Sequence, residues 1–474
     1  MTKTMNVDIC VIGAGSGGLS VAAGTAQMGA STVLIEKHKM GGDCLNYGCV
    51  PSKALLATGH AADAVRSASK FGVHAELEKI DPAGVYGHVR DTIATIEPHD
   101  SVERFESLGV HVIEAEGKMA GPNEVVAGDT RIRARRIVIS TGSRAFVPPI
   151  PGIDDVPYLI NETIFSLSEI PEHLIVIGGG PIGIELAQAH RHLGAKVTVL
   201  EMFKIMPKDD SELIDVVRQK IVEDGVELYE EIKVERIEKT AKGVRVIILN
   251  DGKEQSVDGS HLLVAAGRRP NVDDLDLEKA GIRYSPKGID VDARLRTSNK
   301  KVFAIGDVAG GFQFTHVAGY HAGIVIRNAL FRLPSKADHR FVPRVTFTSP
   351  ELAQVGLTED QARKSHKDIR VLYWPYAEND RALAEGAKDG FIKVVATKKG
   401  KILGCGIVGR QAGELIQIWV LALTKGMKVG DIAQMIAPYP TLGEISKRAA
   451  GSFYTPSLFS EKTRKIVRFL AKFG

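Results

Sequence analysis

The sequence predicts an α/β fold with two parallel-sheet units and an α+β portion behind them. Three observations support it. The length of 474 residues exceeds one ordinary domain and suits about three. A strand–turn–helix–strand pattern occurs twice, in VDICVIGAGSGGLSVAAGTAQMGASTVLIEK (7–37) and HLIVIGGGPIGIELAQAHRHLGAKVTVLEM (173–202). From Phe341 the apolar alternation changes: TFTSPELAQVGLTE, FIKVVATKKGKILGCGIVG and the helical GELIQIWVLALTKG read as an α+β domain.

Each repeated unit is a β-branched apolar run, a glycine-rich turn, an alanine-rich helix and a second strand ending in Glu. In the first, Gly13 makes the tight turn, Gly15 lets backbone approach a pyrophosphate, and Gly18 lets helix and strand pack closely. Phosphate then lies on the helix N-terminus, where free N–H groups and the helix dipole favour negative charge. Glu36, 23 residues after Gly13, is placed to hold a ribose 2′-hydroxyl. Gly178, Gly180 and Gly183 repeat the pattern, with Glu201 again 23 residues on. One such motif is weak; two in the same context indicate that two dinucleotides are bound. A carboxylate at Glu201 accepts from a 2′-hydroxyl and repels a 2′-phosphate. Lys204 and Lys208 are nearby, but no arginine directly follows the strand, so NADH is favoured over NADPH.

Bulk composition narrows the class. The 61 basic and 57 acidic residues nearly cancel to a net charge of +4, and nucleic acid, which needs a clustered basic footprint, is not an expected partner. No apolar run reaches the roughly 18 residues that span a bilayer. The start, MTKTMNVDIC, lacks a secretory apolar stretch, which places the protein in the cytoplasm. Four cysteines make no disulfide framework, and a close pair in a reducing compartment is catalytic or metal-binding.

That pair lies in GGDCLNYGCVPSK (41–53). Cys44 and Cys49 are spaced so that one and a half helical turns bring both sulfurs to one side within bridging reach. Half of a zinc site is the alternative. It needs two more ligands, yet Cys10 and Cys405 fall inside apolar strands and read as core residues. A redox pair with no metal is the better reading. Lys53, on the same helix, is either a surface lysine or a partner for an acid.

These segments, with IVISTGS (137–143), HLLVAAGRRPN (261–271) and VFAIGDVAG (302–310), together resemble one family, the pyridine nucleotide–disulfide oxidoreductases, in the dihydrolipoamide dehydrogenase, glutathione reductase and mercuric reductase branch. The resemblance runs over nearly the whole chain. It implies that Glu36 binds the FAD adenosine ribose, Gly117 contacts the adenine end, Thr141 and Gly142 line the FAD phosphates, and Asp307 binds the flavin side chain. It further implies that Cys49 is the sulfur nearest the flavin, Cys44 the interchange thiol facing substrate, Glu185 the partner of Lys53 beside the nicotinamide–flavin contact, and Gly267 a contact of the nicotinamide nucleotide. The working nucleophile is a thiolate, so Cys44 is expected to have a depressed pKa. The implied domains are FAD-binding over 1–150 and 267–340, NAD-binding over 151–266, and dimerisation over 341–474. A homodimer is implied as well, with Tyr439 and Glu444 acting on the partner's disulfide.

The family's C-terminal domain supplies a His followed five residues later by Glu. Here APYPTLGE (437–444) puts Tyr439 in the histidine's place and keeps Glu444. Histidine titrates near 6.5 and takes a proton from an incoming thiol; tyrosine titrates near 10 and does not. Dihydrolipoamide oxidation is therefore expected to be impaired. Tyr439 is either a pocket residue donating a hydrogen bond near Cys44 or packing on a dimer surface. A tyrosine there is similar to the mercuric reductases, but no cysteine follows Cys405, and that branch's C-terminal cysteine pair is missing.

Elsewhere, residues 60–110 read as amphipathic helices flanking the disulfide helix. SLFSEKTRKIVRFLAKFG (457–474) reads as a basic amphipathic helix, expected to pack on its own domain with a solvated basic face; contact with an anionic membrane is the alternative. The leading function is NADH-dependent reduction of a small acceptor (a disulfide, a metal ion or a quinone). Dihydrolipoamide dehydrogenase and a redox sensor with weakened catalysis are the alternatives.

Overall fold

The computed structural model describes residues 3–473. The chain forms two compact units. The first runs to Gly178 and adds 192–197 and 233–338; the second joins 179–191, 198–232 and the stretch from His339.

The first unit is built on a seven-stranded sheet. Strand β1 (Lys3–Ile12) runs parallel to β2 (Thr32–Glu36) on one side and β6 (Thr130–Ile139) on the other. β3 (Val110–Glu114) extends the parallel set beyond β2. β4 (Gly117–Gly121) and β5 (Glu124–Ala127) form an antiparallel meander on β6, and the strand Val302–Ala304 returns parallel to the end of β6. Strands covered on both faces need apolar residues at every position, which is why β1 ends in an unbroken run. Ile9 and Val11 face a core with Leu34, Val138 and Phe303, while Cys10 and Ile12 face a second with Val33, Ile35 and Ile137. Each such residue contributes about 1.5–3 kcal/mol on full burial. Helix α1 (Ser16–Gln27) follows β1. Helices α2 (Gly42–Asn46), α3 (Cys49–Ser67), α4 (Pro82–Ile96) and α5 (Val102–Ser107) fill the link from β2 to β3; the start of 60–110, expected to flank the disulfide helix, is the tail of that helix itself, and the rest is broken between α4 and α5. The strand His173–Ile177 pairs in parallel with His261–Val264 in this unit.

In the second unit, Glu227–Tyr229 pairs in parallel with 198–200. From His339 onward the sheet is antiparallel and five-stranded, in the order Arg344–Thr346, Glu351–Gly356, Ile402–Gly409, Phe391–Thr397, Ile369–Pro375. Trp419 is fully buried in its core and donates from Nε1 to Ser446 Oγ at 3.0 Å. Cys405 lies in the same core. This is the α+β portion read from Phe341.

One expectation is corrected. The helix Glu461–Leu470 buries none of its residues, so it does not pack on its own domain. Its alternating charges and apolar groups fixed the helix, but periodicity alone cannot show what covers a face. Among the described residues no helix is long and apolar enough to cross a membrane.

Candidate active site

At the first glycine turn each position has a separate job. Gly13 has φ +103°, and a Cβ there would sit 2.5 Å from the Ser140 carbonyl oxygen. A Cβ on Gly18 would sit 1.9 Å from the Gly13 carbonyl oxygen, so helix and turn touch through it. Gly15 faces open space, with nothing within 4 Å of an added Cβ. It is the N-cap of α1, whose N-terminus has no side-chain cap and no acid in its first turn. Glu36 ends β2; its Oε2 accepts from Ala14 N at 2.7 Å and its Oε1 from His38 N at 2.8 Å. An uncapped helix N-terminus, an open approach at Gly15 and a carboxylate at the strand end fit a dinucleotide's pyrophosphate and ribose. Gly117 lies against the ends of both strands: a Cβ there would be 3.1 Å from Ile12 Cγ2 on β1 and 3.3 Å from Ile35 Cγ2 on β2. Thr141 donates from Oγ1 to the Asn271 carbonyl at 2.8 Å, and Gly142 has φ +68° beside open space.

The second turn repeats the first glycine's close approach, the open third position and the acid's two hydrogen bonds. In the first unit, Gly178 has φ +115° and its added Cβ would lie 2.5 Å from the Ala265 carbonyl oxygen. In the second, Gly180 is open, Gly183 is buried on the helix Pro181–His192, and Glu201 accepts from Gly179 N at 2.5 Å and Phe203 N at 2.9 Å. Each acid therefore ties its strand end to the turn through one oxygen and still has lone pairs free for a hydroxyl. Gly267 has φ +125° in open space, and its carbonyl accepts from Phe146 N at 2.9 Å.

Cys44 and Cys49 stand on two helices rather than the single one their spacing suggested. Cys44 is in α2, Cys49 opens α3, and the break falls at Tyr47 and Gly48. The backbone at Gly48 passes so close to α2 that an added Cβ would be 3.0 Å from the Asp43 carbonyl oxygen. Both cysteines are free thiols, hydrogen-bonded to one another. Cys49 also shares a hydrogen bond with Thr315 Oγ1 at 3.2 Å.

The expected depression at Cys44 falls instead on Cys49. The Cys44 thiol, the Thr315 hydroxyl and the Lys53 charge hold Cys49 down to about 6, against burial and the Asp43 carboxylate. Cys44 is pushed up, first by its bond to Cys49 and then by burial. Two touching thiols lose their first proton as a pair, and the sulfur with more donors around it keeps the charge. Cys10, by contrast, is pushed up to about 12 by burial alone, so it is an inert core thiol.

Asp307 belongs to a polar chain that sequence reasoning did not assemble. Its Oδ2 accepts from Ser143 Oγ at 2.5 Å; Ser143 Oγ accepts from Arg268 Nε at 2.8 Å; and Arg268 reaches Asp43 Oδ1 at 3.2 Å, beside Cys44. Asn161 Nδ2 also donates to Asp43 Oδ1, at 2.9 Å. Burial raises the Asp307 carboxyl, with Ser143 and Arg268 opposing.

Lys53 lies on α3 in the first unit, its Nζ 3.4 Å from Ser52 Oγ. Glu185 lies in the second, buried, accepting from Phe347 N at 2.9 Å. Tyr439 is 68% exposed, and its hydroxyl donates to Asp380 Oδ2 at 2.8 Å. Asp380, chiefly through that bond, raises the phenol above its ordinary value, with Glu444 adding to the rise. Glu444 opens the helix Glu444–Ser452. Asp380 was not foreseen, because 59 positions separate it from Tyr439 and no local pattern links them.

Residues 7–322 match the family model for pyridine nucleotide-disulphide oxidoreductase. The chain belongs to that family. Residues 342–450 match the dimerisation domain of the same pyridine nucleotide-disulphide oxidoreductases. Among relatives, a mercuric reductase of Bacillus cereus is 34% identical over 94% of this chain and 71% of its own length. A dihydrolipoyl dehydrogenase of Geobacillus stearothermophilus is 36% identical over 94% and 96%. Among solved structures, the Cu(II) complex of the HOCl-induced flavoprotein disulfide reductase RclA from Escherichia coli aligns at TM-score 0.84 and 28% identity, covering 93% of this chain and 98% of that one. This oxidoreductase is thus a flavoprotein disulfide oxidoreductase of the mercuric reductase, lipoamide dehydrogenase and RclA type, using FAD and a pyridine nucleotide.

Proposed function

We propose that this enzyme takes an electron pair from NADH, stores it as the Cys44–Cys49 dithiol, and delivers it to a small acceptor, a soft metal ion in particular. The observation that carries the reading is the Tyr439–Asp380 bond. A general base contributes about 10²–10⁴-fold to proton transfer. A phenol that donates to a carboxylate is raised away from that role. Dihydrolipoamide must surrender thiol protons; a metal ion brings none. The dithiol gives up two electrons, to one Hg²⁺ or to two Cu²⁺, closes to a disulfide, and releases its protons. Relatives named mercuric reductase, and one solved with Cu(II), support a metal acceptor.

When bound, FAD supplies the two-electron relay between nicotinamide and sulfur. Gly13, Gly15, Gly18, Glu36, Gly117, Thr141, Gly142 and Asp307 hold it, with 1–150 and 267–340 as its domain. Gly178, Gly180, Gly183, Glu201 and Gly267 hold the nicotinamide nucleotide on 151–266, and Glu201 selects NADH. Lys53 serves the flavin and Glu185 the nicotinamide. Cys49 is the flavin-side sulfur and Cys44 the interchange thiol. Residues 341–474 make a homodimer that works in the cytoplasm.

The test is anaerobic reduction by NADH, a thiol count, and then turnover with Hg²⁺, Cu²⁺, lipoamide, glutathione disulfide and quinones. Two new thiols and metal reduction that Cys44→Ser and Cys49→Ser both abolish are expected. Dihydrolipoamide oxidation should be slow and should rise with Tyr439→His. Fast dihydrolipoamide turnover indifferent to Tyr439→Phe, with no metal reduction, would falsify the reading.

A further inference from the structure

We infer that the helix Glu461–Leu470 docks the protein onto an anionic lipid surface. The inference stands apart from the choice of acceptor. The helix is capped locally, with Ser460 Oγ accepting from Thr463 N at 3.2 Å, yet no residue in it is buried. At about 100° per residue, Ile466, Val467, Phe469, Leu470 and Phe473 share one face, spanning about 160° of the circumference. Ile466, Phe469 and Leu470 are 49%, 58% and 59% exposed, and Phe473 is 74% exposed. Leu458 and Phe459, just ahead of it, are also exposed. Apolar groups clustered in this way mark a contact surface rather than scattered exposure.

Charge selects the occupant. Arg464, Lys465, Arg468 and Lys472 fill the opposite side, Lys462 stands at the N-terminal end of the apolar face, and the only acid among these positions is Glu461, which pairs with Arg464 at 3.3 Å. A second copy of the same helix would set like charges against like. Nucleic acid would satisfy the cations and leave the apolar face in water. A bilayer carrying anionic headgroups satisfies both: the apolar side chains enter the acyl boundary while the cations lie at headgroup level. Ten residues rise about 15 Å, half of a hydrocarbon core, so the helix lies along the surface rather than crossing it.

Vesicle co-sedimentation of the full chain with FAD bound tests this. The vesicles are phosphatidylcholine alone or phosphatidylcholine with phosphatidylglycerol. Expected is binding to the phosphatidylglycerol vesicles only, weakened about fivefold per cation in Lys465→Gln and Arg468→Gln at low salt, and abolished in Leu470→Asp/Phe473→Asp. These variants should leave reduction of the flavin by NADH unchanged, which shows an intact fold. Failure to bind phosphatidylglycerol vesicles, or equal binding to both vesicle types, overturns the inference. So does a change of oligomeric state in Leu470→Asp/Phe473→Asp without loss of vesicle binding, which would assign the face to a second copy.

Discussion

At the scale of single residues, the chemistry turns on where one proton sits. With Cys49 held at about 6, about nine tenths of the dithiol carries a thiolate at neutral pH. Because that pKa is depressed, thiolate reactivity is present above it and is lost as pH falls through about 6. Alkylation of the NADH-reduced enzyme by iodoacetamide should therefore show a midpoint near that value. Thr315→Val removes a donor and should move the midpoint up; Asp43→Asn removes an opposing carboxylate and should move it down. Because Thr315 lowers both thiols, a midpoint that follows Thr315→Val and is indifferent to Asp43→Asn would mean that the charge rests on Cys44. The cysteine pair was legible in the sequence because its chemistry is in residue identity and near spacing. The assignment of the thiolate was not, since Thr315 lies 266 positions from Cys49.

At the scale of elements, the two βαβ units were legible because apolar period and glycine spacing are local. Their atomic echo confirms that each strand-end acid serves its turn. The break between α2 and α3 was not legible, for it depends on how closely the chain doubles back at Gly48. Two glycines with different jobs give a clean test. Gly15→Ala adds a methyl to open space, so stability should stay within about 0.5 kcal/mol, while bound flavin falls because the methyl stands in the pyrophosphate's approach. Gly18→Ala forces a Cβ to 1.9 Å from the Gly13 carbonyl oxygen, a clash costing about 1–3 kcal/mol, so flavin content and melting temperature should fall together. Absorbance at the flavin band and thermal melts of the two apoproteins separate these cases. Equal loss of stability in both would deny Gly15 its role as a ligand approach.

For the whole molecule, the tyrosine loop must be explained as part of an assembly. Ile436 is 95% exposed and Tyr439 68%, so their own chain leaves the segment almost bare. It is nonetheless held: Asn379 Nδ2 donates to the Thr441 carbonyl at 3.1 Å, and Thr441 Oγ1 to the Pro438 carbonyl at 2.8 Å. A rigid, bare, apolar loop in a region matching the family's dimerisation domain suits a partner subunit's surface. If Tyr439 and Glu444 serve the partner's cysteines, neither a Cys49→Ser dimer nor a Tyr439→Ala dimer contains a complete site. A mixed dimer contains one complete site and one doubly damaged site. Random reassociation of equal amounts makes half of the dimers mixed, so activity should recover to about one quarter of wild type. If each site is built from one chain, every site in the mixture stays damaged and nothing recovers. Subunit exchange after brief denaturation and refolding with FAD, followed by the acceptor assay, distinguishes the two arrangements. Full activity in the Tyr439→Ala parent would instead make the loop an interface contact with no part in the chemistry.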